Sequence, residues 1–269
     1  MGCANSRIKT YTDNEQSIIA TESRMGFFKS HSDKIDTIFK RFSVASKMNV
    51  TQFTMACKEL NLSLLSIDDL DSPHNRFFQL FKENSHFDQR KLSTLGVVLG
   101  KGEPREKARV LFKIYDIVKD NTLEDSEIYK MISDITFVAL IALPKLTVFS
   151  LKDRDKIEDL EKFNRKLKSV NKTIKNFYEI IILSKHKKDQ QGVEDEEVGK
   201  RKKKKKNKNK RRYQPVNIRI EEFIEKFDSE PMKILCDAAM LRHFAIQKHS
   251  QVIAPREMVK DYLIETNIR

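Results

Sequence analysis

Between Leu111 and Tyr129 the chain reads LFKIYDIVKDNTLEDSEIY, and this stretch restricts the fold most tightly. An apolar helical run (Leu111, Phe112, Ile114, Tyr115) leads into Asp116, and a second, with Ile128, Met131 and Ile132, starts near Asp125. Between them lie oxygen-bearing side chains at Asp116, Asp120, Thr122, Glu124 and Glu127. Counted from Asp116, they occupy positions 1, 5, 7, 9 and 12 of a twelve-residue loop. A hard cation such as calcium needs several oxygens in one place, and a loop of ~12 residues closed by a bidentate Glu supplies them. Two positions depart from that chemistry. Val118, at position 3, has no oxygen to offer. Asn121 stands at position 6, where Gly makes the sharp turn; Asn tolerates the left-handed conformation better than most residues. Leu123, at position 8, is the apolar residue that pairs with a sister loop.

A helix–loop–helix unit cannot bury its apolar face alone, so sister units are expected. One begins near Asp33 with Ile35, Ile38, Phe39 and Phe42 on one face. Its loop reads as Ser43 to Thr54, with Val50 at position 8, Thr51 as helix N-cap and no closing carboxylate. A second has Ser72-Pro73 as a helix start, then Phe77, Phe78, Leu80 and Phe81, and a short loop with Phe87 as pairing residue and Lys91 in place of the closing Glu. Neither loop has the ligands for a metal. Glu103-Pro104 opens the helix that enters the Asp116 loop. After it comes a clean amphipathic run: Leu160, Phe163, Leu167, Val170, Ile174, Phe177, Ile180 and Ile181. The second half of a fourth loop appears only at Ile218 (position 8) and Glu222 (position 12). Residues 186–214 lie between and read as a charged, disordered insertion inside that loop. Pro231 and Pro255 then each open a C-terminal helix.

Charge is local. The chain carries +13, but Lys200, Arg201, Lys202, Lys203, Lys204, Lys205, Lys206, Lys208, Lys210, Arg211 and Arg212 supply 11 of it, leaving +2 elsewhere. With 34% charged residues, 7 Gly and no Trp, the composition suits a helical protein rather than a β-sandwich or a Gly-rich α/β enzyme. The 3 Cys are scattered, which excludes a disulfide framework or a CxxC zinc site and fits a reducing compartment. The polar N-terminus is no secretory signal. The longest apolar run, Ile135 to Leu143, is too short to span a bilayer and reads as the end of a buried helix stopped by Pro144 and Lys145. There is no phosphate loop, nucleophile elbow or His cluster, so catalysis is not expected.

The first residues, MGCANS, fit Met-Gly-x-x-x-Ser/Thr, with Gly2 as myristate acceptor and Cys3 as a palmitoylation site. One myristoyl chain anchors only marginally, so a second signal is needed. The Lys tract can provide it at an anionic leaflet. Residues 1–31 read as a lipidated, extended polar arm, 32–100 as a first helix–loop–helix pair, 101–228 as a second and 229–269 as C-terminal helices.

The run LSTLGVVLGKGEPREKARVLFKIYDIVKDNTLEDSEIYKMI, with the Gly2 pattern, resembles neuronal calcium sensor, recoverin-like and calcineurin B-like EF-hand proteins. That resemblance implies an all-α fold of two EF-hand pairs joined by short β contacts at position 8. It also implies a membrane-anchored regulator that clasps a partner helix in an apolar groove, with at most one calcium, at the Asp116 loop. The expected cross-loop pairs are Val50 with Phe87 and Leu123 with Ile218. The competing reading is a calcium-independent scaffold whose Lys tract binds nucleic acid or directs nuclear import; the tract lacks the interleaved aromatics that stack on bases.

Overall fold

The computed structural model describes residues 11–62, 69, 71–192 and 217–251. These are mostly helical. The helices are α1 (Asp13–Met25), α2 (Ser32–Phe42), α3 (Val50–Glu59), α4 (Pro73–Gln79), α5 (Gln89–Leu99) and α6 (Pro104–Tyr115). They continue as α7 (Asp125–Ser150), α8 (Arg154–Gly192), α9 (Ile220–Lys226), α10 (Glu230–Leu235) and α11 (Ala238–Gln251). The strands are short and lie where helices are joined. Strands β1 (Lys47–Met48), β2 (Lys82–Glu83) and β3 (His86–Asp88) form one antiparallel sheet in the order β1-β3-β2. Strands β4 (Thr122–Glu124) and β5 (Asn217–Arg219) form the other.

One rule organises these junctions. In α3, α5, α7 and α9, the residue immediately before the N-cap is apolar and buried: Met48, Phe87, Leu123 and Ile218. Leu123 faces Ile218 in the expected register. The partner of Phe87 is Met48, however, and Val50 is the exposed first residue of α3. The cause is loop length. Six residues, Ser43 to Met48, separate α2 from the N-cap Asn49, whereas eight, Asp116 to Leu123, separate α6 from Glu124. A full-length loop therefore places the register two residues too late. The cap is Asn49, not Thr51. Its side chain accepts from the Gln52 N–H at 2.9 Å, and Gln52 Oε1 accepts from the Asn49 N–H at 2.8 Å.

The N-terminal arm is not extended over residues 12–29. Thr12 and Glu15 form a capping box, Gly26 ends α1 in the left-handed conformation (φ 86), and Ile18, Met25 and Phe27 enter the core. The buried stripe of α1 also carries Glu15 and Glu22, so apolar periodicity does not mark it.

Pro144 does not end α7. The helix widens into a π turn over Val138–Ala142, where the Leu143 N–H reaches Val138 O five residues back. The missing N–H of Pro144 then falls where the ladder is already shifted. The 26-residue helix has the length and apolarity of a membrane span, but two thirds of its apolar window is buried against the rest of the chain, as in a core helix.

Helix α8 buries Leu160, Phe163, Leu167, Val170, Ile174, Phe177 and Ile181, while Ile180 is exposed and Tyr178 and Ile182 are buried in its stead. It runs on to Gly192, through the first residues assigned to the insertion. The remainder of 186–214 lies outside the described residues. The helix opened by Pro231 breaks at Cys236–Asp237 into α10 and α11, and the Pro255 segment is not among the described residues.

A single apolar cluster runs from Ile18 to Ala245 and spans the boundary expected at residue 100. At that boundary α2 and α5 pack closely because Gly96 has no Cβ; one there would meet Ile35 Cγ2.

Candidate cation loop and its buried supports

The Asp116 loop is closed from both ends by its own carboxylates. Asp116 Oδ1 accepts from the N–H groups of Lys119 (2.7 Å) and Asp120 (3.3 Å), and its Oδ2 from Asn121 N–H (3.1 Å). Glu127 Oε2 accepts from Glu124 N–H at 3.0 Å, and its Oε1 from Ile117 N–H at 3.3 Å. The closing Glu thus reaches the residue next to the opening Asp. Asp120 Oδ1 accepts from the Thr122 hydroxyl (2.8 Å) and N–H (2.9 Å), and these bonds hold its carboxyl below the usual range. Asn121 adopts the left-handed conformation that its place required (φ 62), as does Lys119 (φ 61). Val118 points to solvent, 77% exposed. The loop is pinned to its sister through Leu123–Ile218 and the Ile220 N–H to Asn121 O bond (3.3 Å).

The third residue of α3, α5, α7 and α9 is Gln52, Lys91, Glu127 and Glu222 respectively. Position 12 of the first loop is therefore Gln52 rather than Thr54. In the second loop the Lys91 ammonium pairs with Glu83 and lies 3.8 Å from Asp88, so a protein cation occupies the acidic end. Partial burial pulls the Lys91 pKa down, but these carboxylates outweigh it and the net shift is upward. Glu222 lies 3.7 Å from Lys226. Among the described residues, no three His, Cys, Asp or Glu side chains are grouped so as to hold a metal ion. Gly2, Cys3 and the tract from Lys200 to Arg212 lie outside the described residues.

Two buried polar groups behind the loops were not legible in the sequence. Asp134 on α7 accepts from the Tyr115 hydroxyl (2.9 Å) and from Lys130 (3.1 Å), and that hydroxyl lies 2.8 Å from Thr94 on α5. The chain Thr94–Tyr115–Asp134 joins both loop pairs. Burial raises the Asp134 pKa from its ordinary 3.8, opposed by Lys130, and burial likewise raises Tyr115. The second group is the ion pair of Glu22 on α1 with Arg242 on α11, at 2.7 Å. Only their proximity in the fold reveals these partners; an acid on an otherwise apolar face was the available signal.

The Asp134 shift has a definite sign. An acid with a raised folded pKa binds more protons when folded, so its contribution falls as pH rises from the unfolded value of about 3.9 to the folded one. Asp134→Asn keeps an acceptor for Tyr115 and loses this slope. Urea denaturation at several pH values from about 4 to 7 should show the variant gaining stability relative to wild type as pH rises. A constant difference would mean that Asp134 is ionised throughout.

No family model, curated protein or solved structure matches this chain.

Proposed function

We propose that the chain is a membrane-anchored, non-enzymatic adaptor or regulatory subunit built from paired EF-hand-like units, with a single cation loop at Asp116–Glu127. The observation that carries this reading is the closure of that loop: positions 1 and 12 fold onto neighbouring backbone groups while Leu123 pairs with Ile218. A calcium ion there would be held by Asp116, Asp120, Glu127 and the Thr122 position, with Glu124 at its edge. With Val118 contributing no oxygen, the expected Kd is weak, about 10⁻⁵ to 10⁻³ M. Lipids on Gly2 and Cys3, aided by the Lys tract, would hold the protein at an anionic leaflet. A partner helix would be received in an apolar groove; the surface formed by α8 and the π turn is covered by the chain's own α11.

Calorimetric titration of calcium into wild type and Glu127→Gln tests the cation loop. One weak site in wild type that vanishes in the variant is the expected result. Absence of heat in both would leave a calcium-independent adaptor. Loss of membrane association in Gly2→Ala tests the anchor separately.

A further inference from the structure

From Lys162 to Tyr178, α8 contains no acid and six basic residues. Lys162 is committed to Glu158 (3.0 Å) and Asp159 (3.5 Å), and Lys175 to the Ser133 hydroxyl (2.9 Å). Arg165, Lys166, Lys168 and Lys172 are exposed and form no ion pair among the described residues. At roughly 100° per residue, Arg165, Lys168 and Lys172 share an arc of about 60°. That arc lies opposite the buried Leu160, Phe163, Leu167 and Ile174. Like charges at these spacings repel along a helix, and no intervening acid relieves them.

The start of α1 meets the same helix elsewhere. A cleft of about 470 Å³ is lined by Asp13, Asn14 and Ser17 from the start of α1 and by Lys156, Lys162 and Lys166 of α8. None of Arg165, Lys168 and Lys172 lines this cleft, and Lys166 lies about 100–160° around the helix from them, so the chain enters the fold on another side of α8. Gly2 precedes Asp13 by eleven residues, a span of at most about 40 Å. The acyl acceptor and the stripe can meet one plane together. The aromatic residues of α8 (Phe163, Phe177, Tyr178) are buried, which leaves nothing on that face to stack with bases.

We propose that the solvent face of α8, formed by Arg165, Lys168 and Lys172, is the surface by which the protein docks on an anionic bilayer. It sets the orientation of the molecule once the acyl chain has partitioned. This deepens the membrane-anchored reading above and rests on it. The Lys tract follows α8 in the chain.

The test is co-sedimentation of the full-length, N-myristoylated chain with vesicles of phosphatidylcholine alone or with one third phosphatidylserine. Wild type is compared with Arg165→Gln/Lys168→Gln/Lys172→Gln and with a charge-matched control, Lys29→Gln/Lys34→Gln/Lys58→Gln, at exposed sites on other elements. Each basic residue near an anionic surface is worth about fivefold in partitioning, so the α8 triple variant should lose at least about tenfold on the serine lipid. It should bind phosphatidylcholine as wild type does and keep the wild-type melting temperature. The control should stay within about twofold of wild type. Equal losses in both variants would reduce the effect to net charge and overturn the proposal. An α8 variant that binds like wild type would also overturn it, with the anchor intact. Wild type that binds neither vesicle would remove the anchored reading itself. A variant that loses binding to duplex RNA but not to vesicles would reassign the stripe to nucleic acid.

Discussion

Replacing Arg242 with Met should destabilise the protein by about 3–5 kcal/mol, because one partner of a buried ion pair is left without the other. For a chain of this size that lowers the melting temperature by roughly 6–20 °C. Arg242 is fully buried, and Glu22 nearly so. The guanidinium is ion-paired with Glu22 Oε1 at 2.7 Å and donates a hydrogen bond to the carbonyl of Ala139 at 3.3 Å, while its Nε and Nη2 have no hydrogen-bond partner among the described residues. That carbonyl needs an outside donor. In the π turn the Leu143 N–H goes to Val138, and the next residue, Pro144, has no N–H to give. Arg242 thus serves two groups that helices α1 and α7 cannot satisfy internally. Burial raises the Glu22 pKa despite the opposing Arg242 charge. Without the arginine this carboxyl takes up a proton more readily, so the penalty in Arg242→Met should shrink as pH falls. Replacing both members, Glu22→Leu with Arg242→Met, removes the stranded charge and should recover much of the loss; thermal unfolding of the four-member cycle measures the coupling. A single-variant cost below about 1 kcal/mol would show that the pair does not hold α1 in place.

Phe53→Ala should cost a comparable ~3–5 kcal/mol, by a different physical route. Phe53 is the hub of the first loop pair. Its ring lies 4.3 Å from that of Phe87, 4.8 Å from Phe78 and 6.4 Å from Phe39. Truncation opens a cavity beneath the Met48–Phe87 contact and removes three ring pairs, each worth about 0.5–1.5 kcal/mol beyond burial. Hydrogen exchange locates the damage. The Asp88 N–H to Phe81 O bond (2.9 Å) should open more often, while the Leu123–Ile218 pair keeps its protection. Uniform loss of protection would mean that the shared core couples both loop pairs too tightly to open separately.

Both predictions concern residues whose legibility in the sequence differed. Phe77, Phe78, Phe81 and Phe87 announced themselves, because a large apolar side chain at helical spacing has one inexpensive destination, whereas Phe53 fell inside the loop read as Ser43 to Thr54. The Leu123–Ile218 register was legible for a related reason: the acid-rich loop placed Leu123 at its pairing position, and Ile218-x-x-x-Glu222 repeated the same spacing. The Met48–Phe87 pair was misplaced by two residues, since nothing local states how short a loop is until the N-cap is known. Glu22 and Arg242 were invisible, since each looks like a solvated charge within its own helix. Pro144 read as a stop because its remedy, a donor from α11, lies about a hundred residues away in the chain.

The sequence by itself determined the helical class, the apolar stripes of α6, α7 and α8, and the loop whose carboxylates cap their own backbone. These depend on interactions between residues only a few positions apart, where periodicity and capping chemistry suffice. Only the tertiary structure decided that α1 belongs to the core and that α7 passes through Pro144. Each of those outcomes turns on a charge or a backbone carbonyl whose partner is distant in sequence, and the cost of leaving such a group buried and unpaired is set by the assembled core.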